Sequence, residues 1–425
     1  MRRQTTIALR LTLLLALIVA CGPRNGERAA GDAAVPGSDT APVAGRNCEP
    51  LETRARNAPH QEPAFEGQTR ACAAVSNVVF DVDVVARGLV HPWAVAPLPG
   101  GDLLVTERPG RLRIVSASGT IGQPITGLPE VDARGQGGLL DVTLSPAFAT
   151  DNRIYWSYAE PRSGGNGTAV ATGVLSLDRR SVQNAAVIFR ALPTYDGRLH
   201  FGSRVVFGPD GTLFITTGER SDARMRLHAQ QRDNHLGKIL RINPDGSVPS
   251  DNPFTNESGA QPEIWTLGHR NTQAAAFDPE GRLWIIEHGP RGGDELNLVQ
   301  RGRNYGWPVQ AYGIEYRGDP IAGASTEPDG YEQPVYYWDP VIAPSGAMFY
   351  TGDAFPGWHG SLFVGGLADR RLVRLEIDGA RVTGEEHLLR DRNQRLRDVA
   401  QGPDGLLYIV TDEDDGQLWR IRPRR

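Results

Sequence analysis

The sequence predicts an all-β fold, a six-bladed β-propeller, and three observations carry that reading. A strand–turn–strand unit with Gly, Pro or Asp in its turn recurs six times along the chain. Helical periodicity is almost absent from the repeated region. A spare apolar segment, VVFDVDVVARGL at 78–89, precedes the first copy and is available to complete the last blade. A large β-sandwich or a pair of barrels is the competing arrangement of the same strands.

The chain has 425 residues, 40% of them hydrophobic, and a net charge of −5. That supports a large core and argues against nucleic-acid binding. Lys238 is the only lysine among 45 basic residues, so arginine abundance says little and only positioned arginines count. Residues 1–20 have a basic start and a short apolar run, as a secretory signal peptide does. Cys21 follows in IVAC-Gly, which resembles a bacterial lipobox, and a plain cleaved signal is the alternative. The expectation is an exported protein, a lipoprotein on the periplasmic side of a bacterial membrane or otherwise soluble in the periplasm, touching the membrane only through that anchor. Residues 21–46 are rich in Gly, Ala, Pro and Asp and read as a flexible linker. Residues 47–77 form an N-terminal extension whose Cys48 and Cys72 are predicted to pair, since an exported chain with no other thiols favours a disulfide.

Residues 78–425 are assigned to the propeller. The six copies are WAVAPLPGGDLLVTE (93–107), LLDVTLSPAFATDNRIYWSYAE (139–160), SRVVFGPDGTLFITTGE (203–219), QAAAFDPEGRLWIIEHG (273–289), GAMFYTGDAFPGWHGSLFVGG (346–366) and RDVAQGPDGLLYIVTDE (397–413). Third apolar stretches such as GRLRIV, LGKILRI, RRLVRLEI and GQLWRI follow some of them. If the turns lie at one rim, the starts of the first strands and the ends of the second converge at the other, near the axis. That places His91, Trp93, Gln136, His200, Arg270, Asn271, Ser345, Arg395 and Arg397 at one mouth, with Glu107, Glu160, Glu219, Glu287, His288, Asp369 and Asp412.

Such a mouth is costly to assemble unless an anionic or multiply polar ligand fills it. His200 lies ten residues before Asp210 of its turn and Glu219 nine after, the spacing of a base and its orienting carboxylate, and also of any hairpin with polar ends. Arg270, Arg395 and Arg397 suit a ligand with several carboxylates; pairing with Asp398 or Asp412 is the competing use. EHGPRGGDELN (287–297) offers backbone carbonyls beside Asp294 and Glu295, oxygen donors of the kind Ca²⁺ takes, although an ordinary glycine loop has the same composition. HAQQRDNH (228–235) lacks a third metal ligand and reads as a surface loop. The aromatic-rich insertion 308–339 either walls the substrate side or packs internally.

The ordered motifs HFGSRVVFGPDGTLFITTGE, LGKILRINPDGSVPSDNPF, IWTLGHRNTQAAAFDPEGRLWIIEHGPRGGDELNLV, GRNYGWP, APSGAMFY and RLRDVAQGPDG resemble the soluble quinoprotein sugar dehydrogenases, nearer the aldose sugar dehydrogenase branch than the soluble glucose dehydrogenase branch, from about residue 82 to 423. The resemblance implies a six-bladed propeller that binds pyrroloquinoline quinone (PQQ) and Ca²⁺ and oxidises aldoses to lactones by hydride transfer, with an unidentified electron acceptor. It implies His200 as general base, Glu219 as its orienting carboxylate and Arg270 as stabiliser of charge on the quinone oxygen. Arg270, Asn271, His288, Arg395 and Arg397 match cofactor-binding positions, and Trp338 and Ser345 fall near the cofactor. Gly289 and Pro290 match carbonyl ligands of the catalytic Ca²⁺, and Glu295 and Tyr305 a further Ca²⁺ region. The chain departs from the pattern at Ala368, where the family usually has a lysine reaching the cofactor, with Arg370 two residues on. That departure keeps open a non-catalytic binding propeller; a Ca²⁺-dependent propeller lactonase is the third reading.

Overall fold

Each sequence copy supplies the two inner strands of one antiparallel sheet, and six sheets follow one another around a central axis in the computed structural model, which describes residues 48–178, 180–325 and 330–424. The predicted signal peptide, Cys21 and the linker at 21–46 lie outside the described residues. Blade one has three strands and the other five have four. The inner pairs are Pro92–Pro97 with Leu103–Glu107, Leu139–Leu144 with Arg153–Arg162, Val205–Phe207 with Leu213–Thr216, Thr272–Phe277 with Leu283–Glu287, Pro344–Phe349 with Leu362–Gly366, and Leu396–Gln401 with Leu407–Thr411. The 78–89 segment does complete the last blade: Phe80–Leu89 pairs with Gly416–Pro423, so the first strand of the propeller closes the ring against the last.

The Pro-Asp-Gly signal works as the sequence implies. Gly211 and Gly405 adopt φ of +78° and +75°, a backbone conformation that strains other residues, and Asp210 and Asp404 accept the backbone N–H two residues on at 3.0 and 3.1 Å. In five blades the second strand is buried along its whole length, because it is sandwiched between neighbouring blades on both faces. This is why those strands read as unbroken runs such as LLVTE and LYIVT rather than alternating ones. Each fully buried Leu, Ile or Val there contributes about 1.5–3 kcal/mol.

A hydroxyl stitches successive blades. Thr106 accepts the Ala94 N–H at 3.0 Å and donates to Leu140 O of the next blade at 2.6 Å. Ser157 does the same between Asp141 N and Ser203 O, and Thr216 between Arg204 N and Thr272 O. Ser345 donates to Leu396 O at 2.7 Å, joining blades five and six. In blades one, two, four, five and six the innermost strand slips register near its start, at Pro92/Ala94, Leu139/Val142, Thr272/Ala274, Pro344/Ala347 and Leu396/Asp398. Bulges re-aim side chains. Here the residues within them include Trp93, Leu140, Asp141, Gln273 and Arg397, which meet at the axis, and Ser345, whose hydroxyl bonds backbone instead.

At that axis Arg204 of blade three forms a buried ionic hub. Its Nη1 lies 2.8 Å from Asp141 of blade two and 3.2 Å from Asp398 of blade six. Its Nε donates to Gln273 O of blade four, and its guanidinium stands 4.5 Å over the Trp93 ring of blade one. The carboxylates in turn accept Val205 N at 2.7 Å and Val95 N at 2.9 Å. Burial pushes Asp141 up to about 7 against the pull of Arg204, and raises Asp398 likewise. Replacing Arg204 with Met is expected to destabilise the fold by about 3–5 kcal/mol in urea denaturation, since two buried carboxylates lose their cation. Adding Asp141→Asn and Asp398→Asn to that variant is expected to restore a large part of the loss.

Candidate active site

His200 precedes the inner strand of blade three with φ at +50°, and its N–H is held by Gln136 Oε1 at 2.8 Å. His91, Ser203, Arg220, Ser221 and Ala343 share this left-handed backbone region. Non-glycine residues held there each cost about 1–3 kcal/mol and gather at functional sites. The spacing argument for the hairpin is realised in three dimensions: His200 Nδ1 lies 3.1 Å from Glu219 Oε1, with both side chains buried. The second Glu219 oxygen accepts the Ser221 N–H. A carboxylate on Nδ1 fixes the Nδ1–H tautomer and leaves Nε2 with the basic lone pair.

Burial, then the charge of Arg270, lower the His200 pKa, while Glu219 opposes them. Burial alone would raise Glu219, yet the charge and hydrogen bond of His200, then Arg270 and the Ser221 N–H, bring it below the usual carboxylate range. The imidazole is therefore neutral at neutral pH and backed by an ionised acid.

Blade four adds Arg270 and Asn271. The Arg270 backbone donates to Glu287 at 2.6 Å, its Nη1 donates to His288 O at 3.0 Å and Gly289 O at 2.7 Å, and its guanidinium lies 5.2 Å from the Trp307 ring centre. Asn271 Oδ1 accepts the Gly202 N–H at 3.1 Å, and Glu219 N donates to Arg270 O at 3.0 Å, so these two residues join the His200–Glu219 pair into one network.

A cavity of about 480 Å³ opens beside this network at the axis. Trp93, Leu140, Phe201, Gly202, Gln273 and Arg397 form part of its wall, with His91, Arg108, Gln136, His288, Leu367, Arg395 and Asp412 around them. Four of the five bulges thus supply a wall residue. Of the predicted catalytic and cofactor residues, His288, Arg395 and Arg397 line the cavity directly, while His200, Glu219, Arg270 and Asn271 connect to it at Phe201 and Gly202. Arg395 and Arg397 share Asp412 at 3.2 and 2.6 Å, and Asp412 also holds His91 Nδ1 at 3.2 Å. Asp398, the other candidate partner, pairs with Arg204 instead. His288 donates from Nε2 to Pro344 O at 2.5 Å, and burial lowers its pKa to about 3, so it stays neutral.

Other predicted residues are placed differently. Ser345 is buried with its hydroxyl on Gly365 O and Leu396 O. Trp338 packs edge-on against Tyr336 in the core between blades four and five, and Tyr312 stacks on Tyr337 at 4.4 Å, so these aromatics of the 308–339 insertion pack internally. Glu107 and Glu160 bind arginines of their own blades, and Asp369 binds Arg54. His235 of the 228–235 stretch is buried rather than on the surface, and the stretch wraps the sole lysine, whose Nζ donates to His228, Ala229 and Leu236 carbonyls at 2.8, 3.1 and 2.6 Å.

The residues suggested for Ca²⁺ surround a void of about 10 Å³ lined by Glu287, Gly289, Pro290, Gly293 and Glu295 among others, room for one small ion or water. Glu287 and Glu295 face each other across neighbouring strands. Burial, then the Glu287 charge, push Glu295 well above the carboxylate range. Glu287 is already engaged by His269 and the Arg270 N–H, whereas Glu295 has Asn297 at 3.2 Å. The Tyr305 hydroxyl bonds to Leu298 O and Gln300 N, and its ring stacks on His269. Among the described residues no group of three or more His, Cys, Asp or Glu side chains is arranged to hold a metal.

Fold and site together define a propeller oxidoreductase with a buried neutral histidine paired to a carboxylate beside a cationic axial cavity. The chain belongs to the glucose/sorbosone dehydrogenase family, which it matches over residues 89–420. It is 46% identical over 348 residues to the aldose sugar dehydrogenase YliI of Escherichia coli, covering 81% of this chain and 93% of that one. It is 30% identical to quinoprotein glucose dehydrogenase B of Acinetobacter calcoaceticus, covering 80% and 88%. The crystal structure of the apo soluble aldose sugar dehydrogenase from E. coli superposes with a TM-score of 0.79 at 45% identity, covering 81% of this chain and 100% of that one. The PQQ-bound aldose sugar dehydrogenase from Streptomyces coelicolor superposes at 0.67 with 31% identity, covering 82% and 100%.

Since folding lowers the His200 pKa, the acidic limb of the kcat/KM profile is expected below the usual histidine value of about 6.5. Glu219→Gln removes the charge that opposes the lowering, so the limb is expected to move to still lower pH, while kcat falls because the imidazolium loses its counter-ion.

Proposed function

We propose that the protein is a PQQ- and Ca²⁺-dependent dehydrogenase that oxidises aldoses to lactones, with His200 as general base. The observation that carries this is the buried 3.1 Å contact between His200 and Glu219 beside the arginine-lined cavity. The names of the relatives support the sugar substrate.

The residues present fit a tricarboxylate such as PQQ. Arg395, Arg397 and Arg108 bring cationic groups to the cavity wall. The Nε atoms of Arg270 and Arg397 and Nδ2 of Asn271 are buried donors that find no acceptor among the described residues. An unmet buried donor costs about 1–3 kcal/mol, which an anionic ligand would relieve. Arg370 does not stand in for the lysine missing at 368: it is exposed and donates to Asn393 O at 3.1 Å. The opposed Glu287 and Glu295 and the carbonyls of Gly289 and Pro290 fit a hard cation.

His200 Nε2 would take the proton of the sugar's anomeric hydroxyl, and Glu219 would stabilise the imidazolium formed. Gln136 holds the His200 backbone in the orientation this requires. Arg270, desolvated against Trp307, would place positive charge where negative charge develops. PQQ held by Arg395, Arg397 and Asn271 would supply a hydride acceptor, and Ca²⁺ would supply Lewis-acid polarisation.

The test is reduction of an artificial acceptor by purified apoprotein with a panel of aldoses, with and without PQQ and Ca²⁺. Activity is expected only with both, and His200→Ala is expected to lower kcat roughly 10²–10⁴-fold, the range of a lost general base. No acceptor reduction under any condition, together with Ca²⁺-dependent hydrolysis of an added sugar lactone, would favour a hydrolase instead.

A further inference from the structure

We propose that residues 48–77 form a positioning strap for one wall of the cavity, acting through Glu52 and Arg54 on the loop 367–371. The strap precedes the family match at 89–420. It is closed on itself by the Cys48–Cys72 disulfide. Along its length it crosses the outer strands of two blades. On blade four, Gln68 O accepts Tyr337 N at 2.8 Å, Thr69 donates to Tyr337 O at 2.8 Å, and the Asn57 and Ala58 N–H groups bind the Asp339 carboxylate at 2.6 and 3.0 Å. On blade five, Cys72 O accepts Glu385 N at 2.9 Å and Ala74 N donates to Glu385 O at 2.8 Å.

The strap carries its own staple to the site. Arg70 binds the carbonyls of Glu52, Arg54 and Asp339 at 3.0, 2.6 and 3.0 Å, fixing Glu52 and Arg54 against the end of blade four. Arg54 Nη2 reaches Glu52 at 2.5 Å and Asp369 at 3.0 Å. Glu52 lies 3.6 Å from Arg371, which also grips Asp369. Asp369 belongs to the loop whose first residue, Leu367, lines the cavity and accepts Arg395 Nη1 at 3.1 Å. Leu367 and Ala368 donate to Ala343 O and Ile342 O, both at 3.0 Å, and Ala343 lines the same wall. The path from strap to cavity is thus continuous: Arg54, Asp369, Leu367, Arg395. It reaches the segment where Ala368 leaves the wall without a long cationic side chain.

The inference uses the proposed function only for its ligand readout. The test compares full-length wild type, Arg54→Ala, Arg54→Lys and the double variant Cys48→Ser/Cys72→Ser. Hydrogen exchange is followed without ligand in peptides covering 367–371 and 395–397, and PQQ binding by quenching of tryptophan fluorescence. In Arg54→Ala and the double variant, exchange in both peptides and the PQQ dissociation constant are each expected to rise about tenfold, the loss of one charged hydrogen bond. Arg54→Lys is expected to recover both, and exchange in blade two, 139–190, to stay as in wild type. Unchanged exchange at 367–371, or a loosened loop with unchanged PQQ affinity, would overturn the inference. A wild type that binds no PQQ would sink the quinoprotein reading, and faster loop exchange would then still establish the strap.

Discussion

The buried guanidinium of Arg204 is the constraint on which the molecule depends. It stands at the axis with Asp141 on one side and Asp398 on the other, over Trp93 and against Gln273 O, and so binds blades one, two, three, four and six at once. Blade five closes against it through Gly346, where a Cβ would strike the Asp398 carboxylate. A propeller must keep polar backbone ends near its axis, and a charged hub with every carboxylate oxygen aimed at a donor answers that need where an apolar plug would not. Two acids sharing one base in a dry site are tolerated because each also accepts a backbone N–H.

The cavity follows from the same geometry. The bulges that point Asp141 and Gln273 inward also expose Leu140, Trp93 and Arg397 above the hub, so wall and hub are two consequences of one register slip repeated around the ring. The hydroxyls of Thr106 and Ser157 fill the slip by accepting the displaced N–H and donating to the next blade, and Thr216 makes the same link in blade three. An axial pocket results, with Arg397 buried in its wall and Arg395 part-exposed at its edge. Arg397 illustrates the balance: burial lowers its pKa, while Asp412 keeps it paired and charged. An anion bound there would meet cations already paired in place, which is the condition for electrostatic preorganisation.

Two histidine–carboxylate pairs border this pocket with different surroundings. His200–Glu219 is dry and close to Arg270, which favours the neutral base. His91–Asp412 is part of an ionic cluster with Arg395 and Arg397, and its histidine is partly exposed. Under the proposed function, proton abstraction falls to the first pair and ligand charge balance to the cluster. The strap at 48–77 works on the cluster's side of the pocket, through Leu367 and Arg395, and leaves the base untouched.

By itself the sequence determined the blades, because strand runs, Pro-Asp-Gly turns and the spare 78–89 segment are local signals whose physics is local. It also pointed to the His200–Glu219 contact, since a hairpin brings residues at nearly equal spacing from its turn close together across the strands. The Cys48–Cys72 bond followed from there being no other partner outside Cys21. Only the tertiary structure decided which converging residues face the cavity. Ser345 and Trp338 sit at the predicted rim yet turn into backbone and core, while Gln273 and Arg108 enter the wall and Arg204 and Asp141 form the hub beneath it. Those outcomes depend on strand register and on which neighbouring blade claims each side chain. Both are contacts between segments far apart in the chain, so no local pattern records them.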